Sequence, residues 1–452
     1  MASPDTIAAI ATAHGRGAVG VIRVSGPQVP RIAAEILGAL PEPRRAHLAH
    51  FLDANGSSLD QGLALYFPAP ASYTGEPILE LQGHGGALIV DVLLQRLLDL
   101  GCRMARPGEF SERAFLNGKM DIAQAEAVAD LIDAGTAAAA RAAVRTMQGE
   151  FSARIHELEK RITELRKLIE AAIDFPDEEL DFVSGNAVRA HLAAVFAAFD
   201  SITAAARQGA LLREGLNVVI AGRPNAGKSS LLNKLVGDEV AIVADSPGTT
   251  RDVLRQHVHL DGLPLNLIDT AGLRVARDVV EAEGVRRAKT ELERADRVLY
   301  LVDAAALEGR DAAGPVTDLT QLPPGVPVTL VLNKIDLTGA PAYLDEASIP
   351  PRIFLSAKTG AGLPLLRAHL KESAGYRENE SGALSARRRH LDALRRARAA
   401  VEAAAESLAV TRAFELFAED LRLAQLALGE ITGEFTSDDL LGEIFSSFCI
   451  GK

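Results

Sequence analysis

The chain has little of what would place it outside the cell or in a membrane. Its 452 residues include two cysteines, Cys102 and Cys449, far apart in sequence. That pattern excludes a disulfide framework and carries no metal-ligand spacing. No stretch approaches a membrane span, and Met1–Ile10 has neither the basic start nor the apolar run of a secretory leader. A soluble, cytoplasmic protein with no membrane partner is therefore expected. The chain also lacks an excess of positive charge: 48 Lys and Arg stand against 60 Asp and Glu, a net charge of −12. No broad field for nucleic acid is expected, so any RNA contact must come from local patches or from a partner. What remains is ordinary for a globular protein, with 48% hydrophobic and 24% charged residues. The length exceeds a single core and implies about two to four domains.

The most informative stretch is Val218–Asn233, VVIAGRPNAGKSSLLN. A short apolar run, Val218 to Ala221, reads as a buried strand. Gly222 to Ser229 then fits G-x-x-x-x-G-K-[ST], and Ser230-Leu-Leu-Asn begins a helix. Gly222 and Gly227 let the backbone curl so that the N–H groups around Asn225 and Ala226 face one anion. The helix N-terminus adds its partial positive charge. Lys228 is expected to reach the outer phosphates and Ser229 to hold Mg²⁺.

Four further motifs follow in order. After Ala244-Asp245-Ser246-Pro247, the motif Gly248-Thr249-Thr250-Arg-Asp252 supplies a threonine in a loop that can close on Mg²⁺ and the γ-phosphate. Asp269-Thr270-Ala271-Gly272 ends a strand. Its carboxylate can hold a Mg²⁺ water, and the Gly272 N–H can sense the γ-phosphate. In Asn333-Lys334-Ile-Asp336, Asp336 can accept two N–H bonds from guanine. Adenine offers neither donor in that arrangement, so GTP is favoured over ATP. Ser356-Ala357-Lys358 supports the base from the next loop. Ras-like proteins place a water-orienting glutamine just after Gly272 of this motif, and here that position is Leu273. Glu281 is the candidate to take over that task, or it caps a helix and faces solvent.

Along the chain, residues 1–118 mix strand-like and helix-like segments. Gly17–Gly26 and Pro77–Gly83 alternate as strands do, Gly83–Gly86 reads as a turn containing His84, and Ala87–Leu100 reads as a helix. Arg23 and Glu80 are charges inside apolar runs, which calls either for mutual pairing or for a ligand. Residues 119–214 are helical, with Phe151, Ile155, Leu158, Ile162, Leu165, Ile169 and Ile173 forming a seam at steps of four and three. The acidic run Asp174–Asp181 reads as a solvated loop. Residues 215–375 alternate strands and helices, hence a parallel sheet, with strands expected at 217–221, 263–268, 297–302, 328–332 and 353–355. Residues 376–452 return to alanine-rich helix, so 119–214 and 376–452 are expected to form one helical domain into which the nucleotide domain is inserted. Arg387-Arg-Arg389 with Arg395, Arg396 and Arg398 reads as a solvated basic face. Leu440, Leu441, Ile444, Phe445 and Phe448 are too apolar for a free tail.

These motifs together resemble the MnmE (TrmE) family of tRNA-modification GTPases over essentially the whole chain. GRPNAGKSSLLN, GTTRD and DTAGL are matched, and so are GRGAVGVIRVSG, SYTGEPILELQGHGG, RPGEFSERAFLNGKMDIAQAEAVADLIDA and the terminal Cys449-Ile-Gly-Lys452. GTPases such as Era share the first group of motifs and lack the second. The resemblance implies a multidomain α/β and α protein: an N-terminal α+β folate-binding-like domain that forms a homodimer, a discontinuous helical domain, and an inserted P-loop GTPase domain with a Ras-like α/β sheet. It implies a heterotetramer with an FAD-bearing flavoprotein, MnmG, that acts on carbon 5 of the wobble uridine (U34) of certain tRNAs. The product is an aminomethyl or carboxymethylaminomethyl group, its one-carbon unit drawn from (6S)-5-formyltetrahydrofolate or a related reduced folate. By position, Arg23, Glu80, Lys119 and Lys452 match folate-contacting residues, Glu281 the general base or water-orienting glutamate, and Cys449 a terminal cysteine linked to the modification chemistry. Asn225 and Thr249, with the carbonyls of Ala244 and Ser246, match the ligands of K⁺. Pro247 departs from the pattern, because proline fixes φ and removes a donor in that loop. Two other readings of the same motifs are a ribosome-assembly switch and a folate-dependent one-carbon transferase with regulatory GTP binding. The acidic net charge and the lack of a recognisable RNA-binding module disfavour the switch.

Overall fold

A computed structural model describes residues 5–13, 15–174, 185–237, 255–269, 291–307, 322–377, 382–410, 413–434, 438–446, 448 and 451. Near the start, strands β1 (Ile7–Ile10), β2 (Val19–Ser25), β3 (His47–Leu52), β4 (Ser58–Phe67), β5 (Ile78–His84) and β6 (Arg103–Met104) form a sheet in the order β3-β4-β5-β2-β1-β6. β1 and β6 run parallel, and the other pairs are antiparallel. Alternation sets the two faces. Ile22, Val24, Ala64, Leu79 and Leu81 point to one side, where they pack with Ile32 and Ile36 of helix α1 (Val29–Leu37) and Leu93 and Leu97 of α2 (Ala87–Asp99). Arg23 and Glu80 lie directly opposite each other in register on the other side. There Ile7 and Ala9 of β1 pack with Phe110 of α3 (Glu109–Leu116). The expected turn at 83–86 begins later than the glycines suggest. His84 is the last residue of β5, held there because Asp60 accepts its N–H at 2.8 Å and meets its ring Nδ1 at 2.7 Å.

Helices α4 (Ile122–Ile132), α5 (Ala137–Met147), α6 (Glu150–Asp174) and α7 (Gly185–Glu214) follow. The chain then enters a second sheet of β7 (Leu216–Gly222), β8 (Arg255–Leu260), β9 (Leu263–Asp269), β10 (Arg297–Asp303), β11 (Val328–Asn333), β12 (Tyr343–Asp345) and β13 (Arg352–Phe354). Its order is β12-β13-β11-β10-β7-β9-β8. The five strands expected from sequence form its parallel centre. The two edge strands, β8 and β12, are antiparallel and were not expected. β8 (RQHVHL) alternates polar and apolar residues because one of its faces is exposed, so it lacks the continuous apolar run that marks the central strands. Helices α8 (Lys228–Gly237) and α9 (Leu363–Ser373) supply Leu231, Leu232, Leu363, Leu366 and Leu370 to the core of this sheet.

The chain closes with α10 (Arg388–Val410), α11 (Phe414–Thr432) and α12 (Asp438–Ser446). The α6 seam is fully buried from Phe151 to Ile169, as are Phe417, Leu421, Leu428 and Ile431 of α11. Arg166 and Thr163 of α6 both bond Gln425 of α11, at 3.0 and 2.7 Å. Ile444, Phe445 and Phe448 are buried with Ile122, Ala125 and Ala129, so the C-terminal helix is part of a core.

Two compact units result, residues 1–132, 144–202 and 389–452 in one and residues 133–143 and 203–388 in the other. The expectation that no stretch approaches a membrane span needs correcting on length and composition. Ala187–Glu214 is long and apolar enough by those two measures. Its alanines raise the average, while Val195, Phe199 and Ile202 are buried against the rest of the protein.

Within the second unit α7 passes very close to the chain at Leu384, whose N–H bonds the carbonyl of Ala205 at 3.2 Å. A Cβ at Gly209 would lie 1.7 Å from the Leu384 carbonyl oxygen, whereas one at Gly442 in α12 would meet nothing within 4 Å. Gly→Ala in a helix ordinarily stabilises by about 1 kcal/mol. Gly209→Ala should instead destabilise by about 1–3 kcal/mol, because backbone must move. Gly442→Ala should be neutral or stabilising. Thermal melts of the two variants decide this, and a rise in Tm for Gly209→Ala would contradict the close approach.

Candidate functional site

The phosphate-binding motif occupies the turn between β7 and α8, at the carboxyl ends of the parallel strands, where open α/β sheets place their ligands. Its glycines are dictated by close approach. Gly222 has φ 137°, and a Cβ there would meet the Leu301 carbonyl oxygen at 2.3 Å. Gly227 has φ 96°, and a Cβ there would meet Asn333 Nδ2 at 2.2 Å. Between them Asn225 takes the left-handed conformation with φ 64°, which asparagine tolerates better than most residues. Lys228 is buried at the first position of α8, and its Nζ donates to the carbonyls of Gly222 and Arg223, both at 3.0 Å. The loop thus curls around its own ammonium group. Ser229 and Ser230 lie on the first turn of α8, where N–H groups and dipole favour an anion.

The base side of the site is tied to this loop by one side chain. Asn333, at the end of β11, donates from Nδ2 to the Ala226 carbonyl at 2.8 Å. Its Oδ1 accepts the N–H of Ala357 at 2.9 Å. It therefore spans from the phosphate loop to the Ser356–Lys358 loop. Lys334 follows with φ 70° and pairs with Asp303, at the end of β10, at 2.7 Å. Asp336 is exposed and accepts one hydrogen bond from the buried Ser356 hydroxyl at 2.6 Å, on Oδ1. Its carboxylate keeps further acceptor positions toward solvent, the chemistry a guanine edge requires. Ala357 is buried and Lys358 exposed beside it. These residues have the chemistry to hold a guanine nucleotide, and the Ser229 hydroxyl, on the first turn of α8, is one that could hold Mg²⁺. The expected site residues Ala244, Asp245, Ser246, Pro247, Gly248, Thr249, Thr250, Thr270, Ala271, Gly272 and Glu281 lie outside the described residues. Asp269 is described only as the last backbone position of β9. Asp303 and the bridging role of Asn333 were missed from sequence. The signal available was the polar residue that closes the apolar runs of β10 and β11.

A second cluster forms on the face of the first sheet opposite α1 and α2. Arg23 Nε and Nη2 both lie 2.9 Å from Glu80 Oε1, so the two charges do pair. The guanidinium stacks over Tyr73 and Phe110, at 5.5 and 5.8 Å from the ring centroids. Its Nη1 reaches the Gly451 carbonyl at 3.5 Å. Gly451 has φ 96°, and a Cβ there would meet the Ile10 carbonyl oxygen at 2.4 Å, so glycine is required for the chain end to lie against β1. Lys119 donates instead to the Pro70 carbonyl at 3.1 Å and makes no described contact with Arg23 or Glu80. Cys449 and Lys452 lie outside the described residues. Cys102 is buried, which pushes its thiol up to about 12 and leaves it unreactive.

The basic face on α10 is not free. Arg389 makes a two-pronged pair with buried Glu126, at 2.9 and 2.8 Å. Arg396 pairs with Glu430 and Asp392, Arg395 with Asp392, and Arg398 with Asp200 and Glu402. Burial alone would raise the Glu126 carboxyl, but His390 and then Arg389 outweigh it and hold it well below the usual range.

The Asn333 bridge separates two kinds of damage. Asn333→Ala strands a buried carbonyl and a buried N–H, a cost of about 1–3 kcal/mol for each group. It should weaken GTP and ITP to the same degree. Asp336→Asn removes an acceptor for the guanine amine, which inosine lacks, so it should weaken GTP more than ITP and erase the preference between them. Competition binding measures both, and an unchanged GTP/ITP ratio in Asp336→Asn would contradict the assignment of Asp336 to the base.

The MnmE helical domain family matches residues 122–449, and the family of the GTP-binding protein TrmE N-terminus matches residues 6–119. The tRNA modification GTPase MnmE of Yersinia pseudotuberculosis serotype IB (strain PB1/+) is 57% identical over 454 residues, covering 100% of each chain. That of Sodalis glossinidius (strain morsitans) is 58% identical over 455 residues, again covering 100% of each. Among solved structures, a variant of Aquifex aeolicus Era bound to GDP.AlF4- is 28% identical, covers 41% of this chain and 66% of its own, and has a TM-score of 0.26. With both family matches and full-length relatives at that identity, the chain belongs to the MnmE family of tRNA modification GTPases.

Proposed function

We propose that this protein hydrolyses GTP and, with an FAD-bearing MnmG-like flavoprotein, modifies carbon 5 of the wobble uridine of certain tRNAs. The single observation that carries the nucleotide reading is the pair of bonds from Asn333 to Ala226 and Ala357, which set the phosphate loop and the Asp336 carboxylate in one frame. In this reading residues 215–375 are the GTPase domain, 119–214 and 376–452 the helical domain, and 1–118 a folate-binding-like domain that forms the homodimer. The protein works in the cytoplasm, in a heterotetramer with the flavoprotein.

Lys228 leaves its two carbonyl partners for the outer phosphates when nucleotide binds, and Ser229 turns its hydroxyl to Mg²⁺. Asn225, through its side-chain carbonyl, would hold K⁺ together with Thr249 and the carbonyls of Ala244 and Ser246. The two cations supply positive charge against the charge that develops on the phosphates. Glu281 orients the attacking water in place of the glutamine absent at Leu273. Arg23 and Glu80 hold the polar edge of a reduced folate, Arg23 by exchanging the Gly451 carbonyl or part of the Glu80 pair for the ligand. Lys119 and Lys452 are assigned to the folate as cationic contacts, and Cys449 to the modification chemistry.

Hydrolysis should be faster in K⁺ than in Na⁺ at equal ionic strength, by about tenfold or more, each factor of ten being about 1.4 kcal/mol of barrier. Asn225→Ala should erase the difference. Glu281→Ala should lower the rate while GTP affinity holds. Equal rates of the parent protein in the two salts would overturn the cation role.

Nucleoside analysis of tRNA from a strain lacking the protein should show unmodified carbon 5 at the wobble uridine. Parent protein should restore the modification and Glu80→Ala should not, although its GTPase rate is kept. Full restoration by Glu80→Ala would remove the folate role, and normal tRNA in the deletion strain would remove the proposed reaction.

A further inference from the structure

A group of metal-ligating side chains lies apart from both sites. His156 and Glu159 stand three residues apart on α6 and so share one face. Glu434 reaches the same place from just beyond α11. One ligand atom from each of the three lies within 4.8 Å of the others. All three hang on fixed backbone. α6 is anchored by its buried seam, and α11 is tied to it through Arg166, Gln425 and Thr163. Gly433, with φ 91°, ends α11, and the N–H groups of Gly433 and Glu434 both return to the Gly429 carbonyl, at 3.0 and 2.9 Å. A Cβ at Gly433 would meet Ile122 at 2.8 Å, so this turn is pressed against α4.

The three groups do not satisfy one another. His156 Nε2 lies 3.7 Å from Glu434 Oε1, at the outer limit of an ion pair. Glu159 is half-buried, and among the described residues no donor bonds its carboxylate. Burial, then the charge of Glu434, push the Glu159 carboxyl up to about 7, with His156 only partly offsetting them. Two carboxylates at this range with one imidazole repel unless a proton or a cation joins them.

We propose that His156, Glu159 and Glu434 bind a divalent ion of the Zn²⁺ class, which pins the end of α11 to α6. One imidazole nitrogen and two carboxylate oxygens suit Zn²⁺ or its neighbours. Mg²⁺ and Ca²⁺ prefer all-oxygen shells, and no thiolate is present to select Cu(I). Bonds of about 2.0–2.2 Å place tetrahedral ligand atoms roughly 3.4 Å apart. His156 and Glu434 are each about half exposed, at 50% and 56%, and free to close the remaining distance by rotamer shifts. Three protein ligands leave a coordination position for water. The ion would fix the end of α11 at Glu434 against α6.

The test uses the full-length protein, stripped with a chelator and then held with saturating GDP and Mg²⁺. Calorimetric titration with Zn²⁺ should show a single saturable site per chain and a raised Tm. Co²⁺ should give visible d–d absorption. His156→Ala and Glu434→Gln should each weaken Zn²⁺ by about tenfold or more and abolish the Co²⁺ bands. Glu159→Gln should weaken Zn²⁺ as well, yet melt no lower than the parent when metal-free, which separates loss of the site from loss of the fold. Cys449→Ser should bind as the parent does. No saturable Zn²⁺ uptake, uptake unchanged in His156→Ala, or uptake abolished by Cys449→Ser would each overturn the proposal.

Discussion

The nucleotide site depends on Asn333 more than on any charged group. Its side chain is buried, and it satisfies a carbonyl from the phosphate loop and an N–H from the loop after β13. Two loops far apart in sequence thereby share one rigid post at the end of the central strand β11. The glycine at 227 follows from the same contact, because any Cβ there would collide with that amide. The left-handed backbone at Asn225 and Lys334 is strain of about 1–3 kcal/mol each that the surrounding bonds must hold in place. Phosphate and base recognition are set by one geometry, so a ligand that lacks either end loses the benefit of the preorganised other end.

The Arg23 cluster is organised by the opposite device, a charge that has several partial partners. Glu80, the faces of Tyr73 and Phe110, and the Gly451 carbonyl all share one guanidinium. A cation so divided can trade one contact for a ligand without becoming unpaired, which a single tight ion pair cannot do. The chain end is held there by backbone, since Gly451 lies too close to Ile10 for a side chain. Nothing in the composition of the C-terminal segment points to that contact, because it depends on a strand more than four hundred residues earlier.

What was legible in the sequence follows from how local each signal is. The parallel strands of the second sheet could be read from their apolar residues, and β9, β10 and β11 close on Asp269, Asp303 and Asn333. The α6 seam could be read because Phe151 to Ile169 keep one helical face. β8 and β12 could not, since an edge strand with one wet face has no such run. The motif residues could be named, but the partners of Asn333 and Lys334 could not. Ala226, Ala357 and Asp303 come from different segments, and only the fold brings them together. Pairing of Arg23 with Glu80 was one of two readings, and neighbouring antiparallel strands in the right register made it real.

The arginines of α10 show why a charge run is a weak guide to nucleic-acid contact. Taken alone, Arg389, Arg395, Arg396 and Arg398 would make a phosphate-binding stripe. In the fold every one of them faces a carboxylate: Glu126, Asp392, Glu430, Asp200 or Glu402. A phosphate approaching this face must compete with carboxylates already in place. At Arg389 it would also take away the two-pronged partner of buried Glu126, leaving that carboxylate to His390. Arg389, Arg396 and Arg398 thereby tie α10 to carboxylates of other helices, while Arg395 pairs within α10, so the stripe is matched by negative charge in a chain whose net charge is −12.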